Sequence, residues 1–209
     1  MSQPIRVVLV DDHRMFRSGV RSELAEEAAD GIEIVGEAPD VETAVSVIKA
    51  EQPDVVILTS ADFTRRVADA DGRHVPDRDV QLALWADAIR GLRADLADEG
   101  IDLGVVLDNP RPDGNPLLCA GESGTAEGCG RSQEAATAKV ARHVANERSA
   151  VGADRAMDTI SLACRDDECP ARLDGVWVYS DATHLSRQFT AAHADAVAAF
   201  LGRFPALAP

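Results

Sequence analysis

Five groups of residues have types and spacings that permit chemistry. Asp11 and Asp12 stand side by side after an apolar run, Thr59 and Ser60 follow another, and Asn109 follows a third. Nearer the C-terminus, Asp181-Ala182-Thr183-His184 sets a carboxylate three residues before an imidazole. Cys119 with Cys129 and Cys164 with Cys169 make two local pairs. Carboxylates gathered at strand ends suit a hard divalent cation such as Mg²⁺. An even cysteine count in two short Gly- or Asp-rich loops reads as two small disulfides of an exported domain, whereas four reduced thiols fit a cytoplasmic chain. No Cys-x-x-Cys occurs and no His is interleaved at zinc spacing, which argues against structural zinc. For Asp181 and His184 the plain alternative is a helix cap beside a surface imidazole.

The elements that must position these residues follow from hydrophobic periodicity. Ile5 to Val10 is a continuous apolar run closed by the two acids, the pattern of a buried parallel strand. Phe16, Val20 and Leu24 recur at helical spacing. Ile32 to Val35 predicts a second strand, Val41, Ala44, Val45 and Ile48 a helix capped near Asp40, and Val55 to Leu58 a third strand. A charged loop, 61–79, precedes a helix through Leu82, Trp85, Ala86, Ile89, Leu92 and Leu96 that stops at Gly100. Gly104 to Leu107 predicts a fourth strand and Met157 to Leu162 a fifth, with loop to Gly130 and a helix over 134–149 between them. A short strand or hairpin arm over 175–179 and a last helix over 186–201 complete the chain. Alternation of this kind implies right-handed crossovers and one three-layer, doubly wound, flavodoxin-like α/β domain with a mostly parallel sheet of about five strands. Such a sheet aims the polar groups at its strand ends, here Thr59, Ser60 and Asn109, into one crevice.

Composition narrows the function. The 209 residues carry 21 Lys+Arg against 36 Asp+Glu, a formal net charge of −15. Nucleic-acid binding, which needs a clustered positive face, is a poor fit. No window approaches 18 consecutive apolar residues and the N-terminus lacks a signal-peptide pattern, so the chain as written is expected in the cytoplasm with no membrane segment.

Two stretches resemble known families. IRVVLVDDHRMFRSGVRSEL, IEIVGEA and PDVVIL, over residues 1–58, resemble the receiver domain of bacterial response regulators. The resemblance implies an acidic pair, Asp11 and Asp12, that helps hold Mg²⁺, and a phosphoacceptor Asp after the third strand. Thr59 stands in that place, the chain's two lysines, Lys49 and Lys139, fall in predicted helices, and no helix-turn-helix output segment follows. From about Pro53 onward, PDVVILTS, the helix at Trp85, GVVLDNPRP, the two cysteine loops and DGVWVYSDATHLS resemble the extracytoplasmic SGNH domain fused to membrane acyltransferases. That resemblance implies His184 as general base and Asp181 as its orienting carboxylate. It also implies a Gly-Asp-Ser turn after the first strand, where this chain has Val10-Asp11-Asp12-His13, with Asp12 at the serine position.

Together these readings predict a receiver-like segment over 1–58 and an SGNH-like part over 59–209, fused through the shared PDVVIL strand into one continuous α/β domain, in effect a chimera. The expected function is an SGNH-type esterase or acyltransferase-associated domain acting on a small acylated substrate or glycan. Asn109, Ser60 and Thr59 are the expected donors to the acyl oxygen, no cofactor is required, and the missing serine impairs activity. The alternative is an atypical receiver that binds Mg²⁺ weakly at Asp11 and Asp12 and answers to a histidine kinase.

Overall fold

A computed structural model of the chain describes residues 4–11, 14, 17, 18, 21, 32–60, 67–123, 125, 126 and 128–204. Five parallel strands form the central sheet: β1 (Ile5–Val10), β2 (Ile32–Ala38), β3 (Val55–Thr59), β4 (Asp102–Val106) and β5 (Ala156–Met157). Their spatial order is β2-β1-β3-β4-β5. The principal helices are α1 (Val41–Glu51), α2 (Arg78–Asp98), α3 (Pro116–Ser123), α4 (Ala141–Val151) and α5 (Ala194–Leu201).

Successive side chains of a strand point to opposite faces, and the apolar runs of this sheet therefore feed two cores. Val8, Val56, Leu103 and Val105 face α1, α2 and α4, burying Ile48, Ala86, Ile89 and Val144. Val7 and Val55 face the other way, onto Phe200, Leu201 and Phe204 at the C-terminal end of α5. That second layer is close: a Cβ at Gly104 would lie 2.8 Å from both Ile57 Cδ1 and Phe204 Cζ. A third cluster of Ala163, Cys164, Cys169, Val178, Tyr179 and Phe189 lies under the hairpin Arg172–Leu173/Val176–Trp177. The disulfides Cys119–Cys129 and Cys164–Cys169 are both formed.

Local chemistry accounts for the boundaries. Asp40 accepts from Thr43 N–H at 2.7 Å and starts α1, and Asp77 accepts from Asp79 and Val80 N–H to start α2 inside the predicted loop. Gly100, with φ +76°, lets the chain leave α2 in the left-handed region.

Four expectations need correction. The stretch before Gly130 is not all loop, since Pro116 occupies the first position of α3, where its missing N–H costs nothing. The fifth strand ends at Met157 because Asp158 Oδ1 accepts from Ile160 N–H at 3.0 Å and turns the chain into a helix at Ile160–Ala163. The predicted 134–149 helix is two, Gln133–Thr137 and α4. The last helix is likewise two, Arg187–Ala191 and α5, with His193 Nδ1 bonded to the Phe189 carbonyl at 2.8 Å where they meet. Phe16, Val20 and Leu24, of the predicted first helix, lie outside the described residues. Among the described residues no helix is long and apolar enough to cross a membrane.

Candidate active site

The C-terminal ends of β1, β3 and β4 present Asp11, Thr59 with Ser60, and Asp108 with Asn109 along one edge of the sheet, where a doubly wound fold opens its crevice. Thr59 Oγ1 donates to Asp11 Oδ2 at 3.4 Å, and Arg17 donates to the Asp11 carbonyl. Asp12, the residue at the expected nucleophile position, lies outside the described residues. Among the described residues no three His, Cys, Asp or Glu gather as a metal site.

Asp181 and His184 are brought together by a tight turn. The chain rises from buried Val178 and Tyr179, pairs Tyr179 with Leu185 across the turn, and closes it with Ser180 N–H to the His184 carbonyl at 3.0 Å. Asp181 Oδ1 accepts from the N–H groups of Thr183 (2.7 Å) and His184 (2.9 Å) and from the Thr183 hydroxyl (3.0 Å). Its Oδ2 lies 2.8 Å from His184 Nδ1. Partial burial would raise the Asp181 pKa, but these donors outweigh it and hold the carboxyl well below the ordinary range. Ser186, not Asp181, caps the following helix, while the His184 side chain is exposed, as the surface-imidazole alternative expects.

The segment after β4 braces this turn. Asp108 is buried, which pushes its carboxyl up, while Arg111, the Asn109 N–H and His143 oppose that rise. Arg111 Nη2 donates to both Asp108 oxygens, at 2.8 and 2.7 Å, and Nη1 donates to the Thr183 carbonyl. Asn109 Nδ2 reaches the same carbonyl at 3.2 Å and the Pro110 carbonyl at 3.0 Å. Both amide hydrogens of Asn109 are therefore engaged by main chain, so donation to a substrate oxygen requires one of these bonds to be given up.

Ser60 belongs to a different cluster. Its hydroxyl is 2.9 Å from His143 Nε2 and donates to Glu147 Oε1, which also accepts from Trp85 Nε1 at 2.9 Å. His143 and Glu147 are 3% and 0% exposed. The Ser60 hydroxyl donates to Glu147 Oε1, which leaves His143 Nε2 as the donor to the Ser60 oxygen. The acid lies on the same side of the ring as the serine, 3.3 Å from Nε2, unlike a nucleophilic triad, where it would hold the far nitrogen. Sequence reasoning missed His143 and Glu147; their four-residue spacing on an amphipathic helix was the available signal.

A family model described as "SGNH domain (fused to AT3 domains)" matches residues 14–199. The chain belongs to this SGNH family. The SGNH match begins at residue 14 and so runs across much of the receiver-like segment. Among solved structures, the lipopolysaccharide acetyltransferase periplasmic domain of Salmonella ser. Paratyphi A superposes with a TM-score of 0.59 at 10% identity, over 96% of this chain and 85% of that one. An acetyl xylan esterase, AlAXEase, superposes with a TM-score of 0.53 at 13% identity, over 93% and 98%. Both likenesses concern the fold. The "Probable transcriptional regulatory protein NarL" of Mycobacterium tuberculosis is 44% identical over 62 residues, 28% of each chain. "Transcriptional regulatory protein DegU" of Brevibacillus brevis is 39% identical over 54 residues, 26% of this chain and 22% of its own. The SGNH chain thus spans between a fifth and a third of the length of these curated relatives.

Proposed function

We propose that the chain is an SGNH-type ester hydrolase or O-acyltransferase domain that acts on small acyl esters, with a glycan or other small acylated molecule as substrate, and that its activity is impaired. The observation that carries this reading is the Asp181–His184 pair. Asp181 Oδ2 fixes Nδ1 at 2.8 Å, which directs Nε2 to proton exchange and lets the carboxylate stabilise the imidazolium that forms. In the reaction His184 takes a proton from the attacking oxygen and returns it to the leaving alcohol, and Asn109, at the end of β4, donates to the developing charge by giving up one of its main-chain bonds. Impairment follows from Asp12 at the serine position, where a carboxylate beside Asp11 repels an oxyanion. No cofactor enters the scheme. The two disulfides suit an oxidising compartment.

The test is hydrolysis of an aryl acetate by the purified chain. Slow turnover that is abolished by His184→Ala and raised by Val10→Gly with Asp12→Ser supports the reading; a rate unchanged in His184→Ala removes it. The second reading, an atypical receiver served by a histidine kinase and weakly bound Mg²⁺, is favoured by the 44% identity to NarL over 62 residues. Against it, Thr59 stands in the phosphoacceptor's place with its hydroxyl turned to Asp11. Incubation with acetyl phosphate and Mg²⁺, followed by intact-mass measurement, separates the two: a stoichiometric phosphoryl adduct supports the receiver.

A further inference from the structure

We propose that Arg111 is a positioning residue for His184, transmitting the register of β4 to the Asp181–His184 turn through the Thr183 carbonyl. The inference rests on the ester-hydrolase reading for its kinetic consequence only. Arg111 has the composition of a substrate-anion site, but its side chain is 16% exposed and that of its partner Asp108 is 4% exposed. One terminal nitrogen holds both Asp108 oxygens and the other holds the carbonyl of the residue immediately before His184.

The base of this strut is fixed independently. Arg111 N–H bonds to the Ala136 carbonyl at 2.8 Å, and Thr159 Oγ1 bonds to the Leu107 and Asp108 carbonyls, each at 3.1 Å. The far end stands away from the sheet. Asp181 and His184 have side chains 45% and 64% exposed, and the turn is closed by Ser180 N–H to the His184 carbonyl and by the Thr183 and His184 N–H groups to Asp181 Oδ1. Arg111, with Asn109 at 3.2 Å, therefore ties an exposed turn to the sheet. A guanidinium serves where an ammonium cannot, because two differently directed nitrogens hold the carboxylate and the carbonyl at once. Misplacing a catalytic group by about 1 Å costs on the order of 10²-fold in rate.

The test compares Arg111→Lys and Arg111→Met in the full chain. Lysine keeps a cation beside buried Asp108 and protects the fold, but loses the Thr183 carbonyl. The first readout is the backbone ¹H–¹⁵N NMR signal of His184, whose amide shares its peptide unit with the Thr183 carbonyl and so senses the Arg111 bond; it needs no turnover. The second is aryl acetate hydrolysis, with kcat and KM separated. The expected result is a displaced His184 amide signal in both variants, and kcat lowered about 30- to 100-fold with KM within about twofold. A wild-type His184 amide signal in folded Arg111→Lys and Arg111→Met overturns the proposal. If His184→Ala leaves hydrolysis unchanged, the ester reading fails while the NMR comparison still decides the role of Arg111.

Discussion

Glu147 offers a sharp test of how the interior of this domain is held. Its Oε1 accepts from Trp85 Nε1–H and from the Ser60 hydroxyl in a fully buried place, while Oε2 has no partner. In Glu147→Ala the Ser60 hydroxyl and the Trp85 indole N–H both lose their Oε1 acceptor, and the buried Ser60 hydroxyl keeps only His143 Nε2, which donates to it. Each stranded donor costs about 1–3 kcal/mol, and the space left by the carboxylate and its methylenes adds about 1–2 kcal/mol. Relief of the orphaned Oε2 returns part of this, leaving a net loss of about 3 kcal/mol or more. Glu147→Gln keeps an oxygen for both donors and exchanges only the orphaned Oε2, so it should cost less than Glu147→Ala. In urea unfolding followed by far-ultraviolet circular dichroism, with a slope of about 2–3 kcal/mol/M, the alanine variant should lose about 1–1.5 M or more in midpoint. An alanine variant as stable as wild type, or a glutamine variant as damaged as the alanine one, would refute the assignment of Glu147 as the acceptor that joins α2, α4 and β3.

Two further outcomes are expected. The depressed Asp181 pKa contributes stability that is present above the unfolded value of about 3.9 and lost as pH falls through the folded value. With a side chain 45% exposed, Asp181→Ala should cost under about 1 kcal/mol at pH 7, and the gap to wild type should shrink below about pH 4; a gap constant with pH in urea midpoints contradicts the stated origin. Replacing Cys164 and Cys169 with Ala opens a loop of sequence separation 5, worth about 2 kcal/mol by chain entropy, and loosens the cluster with Tyr179 and Phe189 beneath the Asp181 turn. An unchanged thermal midpoint in that variant contradicts a structural role for this disulfide.

Legibility in the sequence followed the range of the interaction. The IRVVLV, PDVVIL and GVV runs declared buried parallel strands because a strand covered on both faces needs apolar residues at nearly every position. Asp40 declared its helix because a cap acts within three residues. Ile160 to Ala163 misled for the same local reason in reverse: an apolar run does not distinguish strand from helix, and Asp158 turned it. The Asp181–His184 pair was legible as a local motif, as were both cysteine pairs. His143 and Glu147 were not identified, since a helical His and Glu acquire meaning only when Ser60, 83 residues from His143, and Trp85, 62 from Glu147, arrive against them. Nothing in the spacing around Arg111 announces its partner, because the Thr183 carbonyl it holds lies 72 residues on.

The sequence by itself determined the doubly wound α/β class, the two cysteine pairs and the Asp-x-x-His turn, because each is carried by residue type and short spacing. Only the tertiary structure decided what the polar residues at the strand ends do. It joined Ser60 to His143 and Glu147, engaged both Asn109 amide hydrogens with main-chain carbonyls, and made Arg111 a strut. Hydrogen-bond partners across β4, α4 and the final turn are set by how layers pack, and packing brings together residues whose separation along the chain holds no periodic signal.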